Sequence, residues 1–438
     1  VKVAPRLESL RKAEAKEKRA HERISKFYRP IITPLVNNRK LGIIFLLSII
    51  GITAGLCATF YTQHVAVKML PFDNKPEFSV VVNMPEGTAM PDTANVVMQL
   101  AEAVRTIPEV TAVQTYAGTA QPFNFNGMVR HYYLRQRAWE GDMLVMLKDK
   151  NDRERGSHAI AVHAREILKP IADSMGARIA VVEMPPGPPV LNTIVAEVHG
   201  PDAQTRRQVA ADLVAMFDAV EDVVDVDSYM AESYEYWRFD VDTEKAVRRG
   251  ISVDTINGSL AMAMGSYKLG DIKRGSVLEP TYIIMQIPLA VRSQVSRLGD
   301  LPIPTVDGKT IPLSELGEFK KGYEDPIIYT KDLRGLEYVT AEMQGRLGAP
   351  IYGMLDIEDM VKEYTTPDGV TMETMPWNLF GPPADDTVSA YEWTGEWTVT
   401  YETFRDMGGA FMAALILIYG LIVWEFKNFA LAGLIMSP

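Results

Sequence analysis

The sequence predicts an α+β membrane protein in which transmembrane helices flank two ferredoxin-like βαβ-βαβ modules, the second carrying a hairpin insertion. Two observations predict it: charge-free apolar runs near both ends of the 438 residues, and a strand–helix–strand pattern that occurs twice between them.

Residues 41–60 contain no charged side chain, and about 20 apolar residues span a bilayer as a helix. Residues 408–424 are shorter but equally free of charge, with Trp424 at one edge, where the interface favours an indole. A signal peptide is excluded for the first run because a charged segment of about 40 residues precedes it. Arg23, Lys26, Arg29, Arg39 and Lys40 lie before this run and only Lys68 closely after it, so the positive-inside bias places the amino-terminal side in the cytoplasm. Lys427, just beyond the second run, agrees with a return to that side. Residues 1–40 hold 12 Lys or Arg against four acids, and read as a basic linker helix near anionic lipid rather than a nucleic-acid arm. The whole chain carries a formal charge of −11, so the body between the runs is acidic. Val1 in place of Met, and an apolar run at 430–438 that reads as the start of another span, lead us to expect a piece of a larger polytopic protein.

The body repeats. A strand from residue 79, a helix over 92–105 and a strand over 110–116 return as a strand from 194, a helix over 204–217 and a strand over 223–229. Alternation marks the strands, and Val97, Leu100, Ala101 and Val104 at three- and four-residue intervals mark a helix. Each unit is half of a split βαβ module. The first is completed by a strand over 142–148, a helix over 157–175 with Ser157 as N-cap, and a strand over 178–183. One module therefore spans 77–189, with Gly-Pro-Pro at 187–189 as punctuation. The other takes 190–259 and 323–370, with a strand at 337–343 and a helix over 352–364. The insertion, 260–322, is rich in Gly and Pro, and its Asp307-Gly308 pair signals a hairpin. Residues 371–407 read as a linker and amphipathic approach to the membrane.

Enzyme chemistry finds no support. The six His residues form no metal-binding pattern, and no nucleophile elbow, phosphate-binding loop or dinucleotide fingerprint is present. Cys57 is the single Cys and lies in the first apolar run, so the exterior body has no disulfide and no thiolate metal site. The 22 Met residues are explained by core packing rather than a soft-metal site. No cofactor and no metal ligand set is expected. The segment 116–135 stands apart, because it joins two strands yet carries Phe123, Phe125 and Met128 among Gly and Pro. Such side chains offer apolar area without fixed hydrogen-bond demands.

Five segments then carry a resemblance. They are Met-Leu-Pro-Phe-Asp at 69–73, Val-Asn-Met-Pro-Glu-Gly-Thr at 82–88, Tyr-Trp-Arg-Phe-Asp-Val-Asp-Thr-Glu-Lys-Ala at 236–246, Gly-Ile-Ser-Val-Asp-Thr-Ile at 250–256 and Tyr-Glu-Trp-Thr-Gly at 391–395. In this order they resemble the carboxy-terminal half of a resistance-nodulation-division (RND) efflux permease, in its hydrophobe/amphiphile-exporting, AcrB-like subgroup. The resemblance implies a proton antiporter of the bacterial inner membrane, multi-pass and with a large periplasmic region. Its apolar runs become the seventh and eighth spans, its modules porter subdomains, and its insertion part of a docking funnel. Implied partners are two further copies in a homotrimer, a periplasmic adaptor, an outer-membrane channel, membrane lipids and apolar small molecules, with no nucleic acid. The loop falls where the family has its switch loop, which makes Phe123, Phe125, Met128 and Tyr116 substrate-contact candidates and Gly118 and Gly127 hinges. The relay acids of the family lie in its fourth span and their Lys partner in its tenth, both outside this chain. The alternatives are a heavy-metal-exporting relative and a membrane-tethered sensor or assembly module.

Overall fold

The computed structural model describes residues 25–437 apart from 27, 31, 66, 67, 69–72, 185–189, 276 and 346. The Gly-Pro-Pro boundary and most of the basic segment and of the 69–73 motif lie outside the described residues.

Helix α1 (Arg39–Tyr61) begins where the Asn38 side chain accepts from the backbone N–H groups of Lys40 and Leu41, satisfying donors that a first turn leaves open. It is apolar all round and no part of its most apolar stretch is buried in the protein. A core helix would be covered, so this helix has the length and surface of a membrane span.

The first module runs β1 (Glu77–Asn83), α2 (Met90–Val104), β2 (Val110–Ala117), a loop containing the one-turn helix α3 (Phe125–Val129), β3 (Glu140–Leu147), α4 (Ser157–Ser174) and β4 (Arg178–Val182). The strands pair antiparallel in the order β2-β3-β1-β4. Phe78, Val80 and Val82 face one way from β1 and pack with Val97, Leu100 and Val104 of α2 and Ile160, Ala164 and Leu168 of α4, as a period of two against a period of 3.6 requires. Ser157 is not the N-cap of α4. Gly156 holds that position, and the Asn74 side chain, 83 residues away in sequence, accepts from the Ser157 N–H at 2.9 Å.

The second module comprises β5 (Ile194–His199), α5 (Ala203–Asp218), β6 (Val223–Ser228) and, later in the chain, further strands and a helix around the same sheet. Between them stands a separate unit. Strand β7 (Glu235–Val241), helices α6 (Thr243–Arg248) and α7 (Val253–Gly265), and the hairpin β8 (Tyr267–Ile272) with β9 (Thr281–Met285) lead into short helices α8 (Leu289–Arg292) and α9 (Val295–Leu298). A second hairpin, β10 (Pro302–Pro304) with β11 (Thr310–Pro312), turns at Gly308 in the left-handed region, and β12 (Gly317–Tyr323) returns to pair with β7. Ala246, Ile251, Ile256, Ile303, Leu313 and Leu316 form its own core. The inserted unit is therefore 235–323 rather than 260–322, because the ladder that closes it joins residues about 80 apart.

The chain then re-enters the second module with β13 (Tyr329–Lys331), β14 (Arg334–Met343), α10 (Pro350–Val361) and β15 (Ala390–Gly395). Strands β6, β14, β5 and β15 lie side by side, all antiparallel, in the order the first module shows. Strand β15 was expected to be linker; it is the fourth strand of this sheet, and its Tyr391 and Trp393 belong to the core. Gly395 follows at φ +81°, with the Asn192 carbonyl oxygen 2.7 Å from where a Cβ would stand, so only glycine fits this corner. Helix α11 (Glu396–Phe426) starts there, 12 residues before the apolar run, and α12 (Phe429–Met436) follows. Like α1, α11 is long and apolar enough to cross a membrane, and its most apolar stretch is uncovered.

Candidate functional site between the two modules

The face of the first sheet that turns away from its helices is covered by the loop from Gly118 to β3. Gly118 takes φ +66°, and a Cβ there would stand 3.3 Å from the Met90 side chain; the sharp exit from β2 needs glycine. Gly127 does not act in this way, for it lies inside α3, where its N–H donates to the Asn124 side chain at 2.7 Å.

Polar side chains pin the loop. Gln121 bonds to Ser79, and its N–H donates to Asp142 at 3.2 Å. Arg135 donates to Asp142 at 2.9 Å and to the carbonyl of Val82 at 2.9 Å. Burial pushes the Asp142 carboxyl above its ordinary range, against the pull of Arg135. Arg130 reaches across to the second module, donating to Glu342 at 2.6 Å, where Asn192 and Thr193 also donate. The sequence reading gave the Phe pair and Met128 the leading role, yet these side chains stand 68%, 37% and 46% exposed. Phe123 touches Tyr133, ring to ring at 5.8 Å; Tyr116 donates to Gln114.

Between the loop, the first sheet and β6 lies a cleft of about 500 Å³. Val81, Asn83 and Ala180 form its floor, Tyr132, Leu134 and Trp139 come from the loop side, and Tyr229 and Met230 close the opposite wall. Phe123, Phe125, Met128 and Tyr116 are not in that lining. The aromatic residues support one another: Trp139 meets Tyr234 edge-on at 4.9 Å, and Tyr229 meets Tyr329 and Tyr338 at 5.8 and 5.6 Å. Burial pushes the Tyr229 hydroxyl up, so it remains a neutral donor.

Two acids of the cleft, Asp225 and Asp227, are engaged by arginines. Asp225 receives both ends of the Arg165 guanidinium, at 2.8 and 2.7 Å, and the Val181 N–H at 2.9 Å. Asp227 receives Arg178 at 2.8 Å and Asn83 at 3.3 Å. These bonds join the edges of the two sheets, so the cleft walls belong to one hydrogen-bonded body.

The sequence carries no spaced metal-ligand pattern, but the second sheet brings Glu197, His199 and Glu392 together, all buried, with one donor atom from each within 4.8 Å of the others. Positions 197 and 199 share a strand face, and that was the available signal. The third ligand comes from β15, 193 residues on, which no local pattern reveals. His158 and His163, on one helix, have separate partners: His158 bonds to Glu183 and His163 to Glu166.

Comparison with known proteins adds the following. The AcrB/AcrD/AcrF family matches residues 5–376. The cobalt-zinc-cadmium resistance protein CzcA of Cupriavidus metallidurans is 24% identical over 162 residues, 36% of this chain and 15% of that protein, and the cation efflux system protein CzcA of an Alcaligenes species matches equally. The crystal structure of a heavy metal efflux pump, in its crystal form II, superposes with a TM-score of 0.64 at 16% identity, covering 95% of this chain and 40% of that one. Crystal form I gives a TM-score of 0.62. The chain thus spans well under half the length of the relatives and structures it matches. With the family match running over most of its length, the chain belongs to the AcrB/AcrD/AcrF family of RND efflux transporters.

Proposed function

We propose that this chain supplies half of the periplasmic substrate path, and part of the docking surface, of a proton-driven RND multidrug permease in the bacterial inner membrane. The observation that carries the reading is the cleft between the modules. Its volume of about 500 Å³ suits a drug-sized organic molecule. Trp139, Tyr132, Tyr229 and Met230 offer it stacking and apolar area, while Asp225 and Asp227 are held by arginines and are not free to bind a bare cation. Both modules share one βαβ-βαβ strand order, which supports ferredoxin-like porter subdomains. Phe123, Phe125, Met128 and Tyr116 are proposed to meet apolar molecules on their way to the cleft, with Gly118 as the hinge of the loop. The β8–β9 hairpin exposes Leu269, Ile272, Tyr282 and Ile283, which suits a contact with a neighbouring copy, an adaptor or an outer-membrane channel.

A second reading, heavy-metal export, is favoured by the likeness to the cobalt-zinc-cadmium resistance protein CzcA and to a heavy metal efflux pump. The two are separated by measuring accumulation in cells carrying the intact permease with Trp139→Ala and Tyr229→Ala. The cleft reading expects roughly tenfold weaker export of aromatic amphiphiles, the effect of losing about 1.4 kcal/mol of binding, and unchanged tolerance of Zn²⁺, Co²⁺ and Cd²⁺. Lost metal tolerance with unchanged export of organic compounds would establish the second reading instead.

A further inference from the structure

We propose that Glu197, His199 and Glu392 form a binding site for a divalent transition-metal cation of the Zn²⁺ class, in which Lys331 holds the place of the cation when none is bound. The site lies on the face of the second sheet opposite its helices and outside the cleft lining, and it does not depend on what the cleft carries.

The argument begins with register. Glu392 on β15 stands directly opposite Glu197 on β5, and like charges in that position oppose sheet formation. Both are buried, at 2% and 4% exposure, where an uncompensated charge is far more costly than at a surface. A cation between them, or a proton held in common, is needed to offset this. Lys331 provides one, its ammonium 2.6 Å from Glu197 and 3.4 Å from Glu392, and Thr394 donates to the other Glu197 oxygen at 3.1 Å. Two carboxylates and one ammonium still leave a net negative charge.

His199 is the independent observation. It is 2% exposed, and neither ring nitrogen has a hydrogen-bond partner among the described residues. Its Nε2 lies 3.8 Å from Glu392 Oε1, too far for a hydrogen bond. Buried imidazole nitrogens are seldom left unsatisfied, and a metal ion is one partner that answers the vacancy.

The donor set selects the ion. One imidazole nitrogen and two carboxylates match Zn²⁺ or Co²⁺ with a fourth, open position. Ca²⁺ prefers six to eight oxygens, and Cu(I) prefers sulfur. Metal–ligand bonds of about 2.0–2.2 Å need donors closer together than the present separations of up to 4.8 Å, so the side chains must close by roughly 1 Å as Lys331 leaves. Lys331 is free to leave, because its side chain is 39% exposed and flexible; its path outward is the path of the ion inward.

The test is titration of the detergent-purified chain with Co²⁺, following the visible absorption of a low-coordinate cobalt site, and with Zn²⁺ by equilibrium dialysis. His199→Phe, which keeps a buried ring but no ligand, is expected to weaken binding at this site at least tenfold and to remove the cobalt spectrum. Lys331→Met removes the competing cation and is expected to tighten binding at least tenfold and raise the zinc-dependent melting temperature. The site stands if both variants move in these opposite directions, and it is overturned if either folded variant binds as the parent does. Should His199→Phe fail to fold, Lys331→Met decides alone: tighter binding supports the site, unchanged binding removes it.

Discussion

Arg165→Ala is expected to loosen the two modules from each other and to cost about 3–5 kcal/mol, the usual effect of breaking one side of a buried ion pair. Arg165 projects from α4 of the first module, donates twice to Asp225 of the second, once to Gln344 and once to the Val181 carbonyl. Its side chain is 10% exposed and that of Asp225 3%, so Ala leaves a carboxylate stranded out of water. For a unit of 150–250 residues, each kcal/mol moves the melting temperature by about 2–4 °C. A fall on the order of 10 °C, with faster proteolysis, is the expected result in detergent. Arg165→Met combined with Asp225→Leu should regain a large part of it, since apolar pairs often replace buried ion pairs without loss. A double variant as unstable as the single one would show that the orphaned charge is not the cause.

Glu358→Leu is expected to have the second large effect, at least about 3 kcal/mol, because several buried donors lose their acceptor at about 1–3 kcal/mol each. Glu358 is 1% exposed and forms no ion pair among the described residues. Its Oε1 accepts from Trp393 at 2.6 Å, Tyr391 at 2.7 Å and Asn378 at 2.8 Å, and its Oε2 from the Met375 N–H at 3.0 Å. Two of these donors are on β15, the strand that passes directly into α11. Glu358 therefore fastens α11 to the core of its module. Glu358→Gln keeps a carbonyl acceptor for three donors and should lose markedly less; equal losses for Leu and Gln would argue for the charge rather than the bonds.

Much of this architecture was legible in the sequence, for a physical reason. Elements covered on one face only write their period into the chain: Val97, Leu100 and Val104 of α2 are buried as the spacing predicts. Strand β15 is covered on both faces, so Tyr391, Glu392 and Trp393 are all buried, and its acid and its position before an apolar run disguised it as linker. The extent of the inserted unit escaped because the β7–β12 ladder pairs Val241 with Gly317, and nothing in the local pattern says which distant strand a β-strand will pair with. The loop was recognised by its composition, but its aromatic residues drew attention from the arginines that hold it. Arg130 meets Glu342, 212 residues on, and long-range charge pairing leaves no periodic trace. The Glu197–His199–Glu392 cluster was missed for the same reason.

The claim that the cleft is part of the substrate path is tested most directly by blocking it. With Cys57 and every cysteine in the rest of the permease replaced by Ala, Leu134→Cys places a single thiol on a side chain that lines the cleft and is 66% exposed. Lys362→Cys, on the surface beyond α10 and outside the cleft lining, serves as the control. In the intact permease, a bulky maleimide at position 134 should reduce export of an aromatic amphiphile at least tenfold, with the substrate slowing the labelling, and at position 362 should do neither. Complete labelling at 134 with export unchanged would contradict the account.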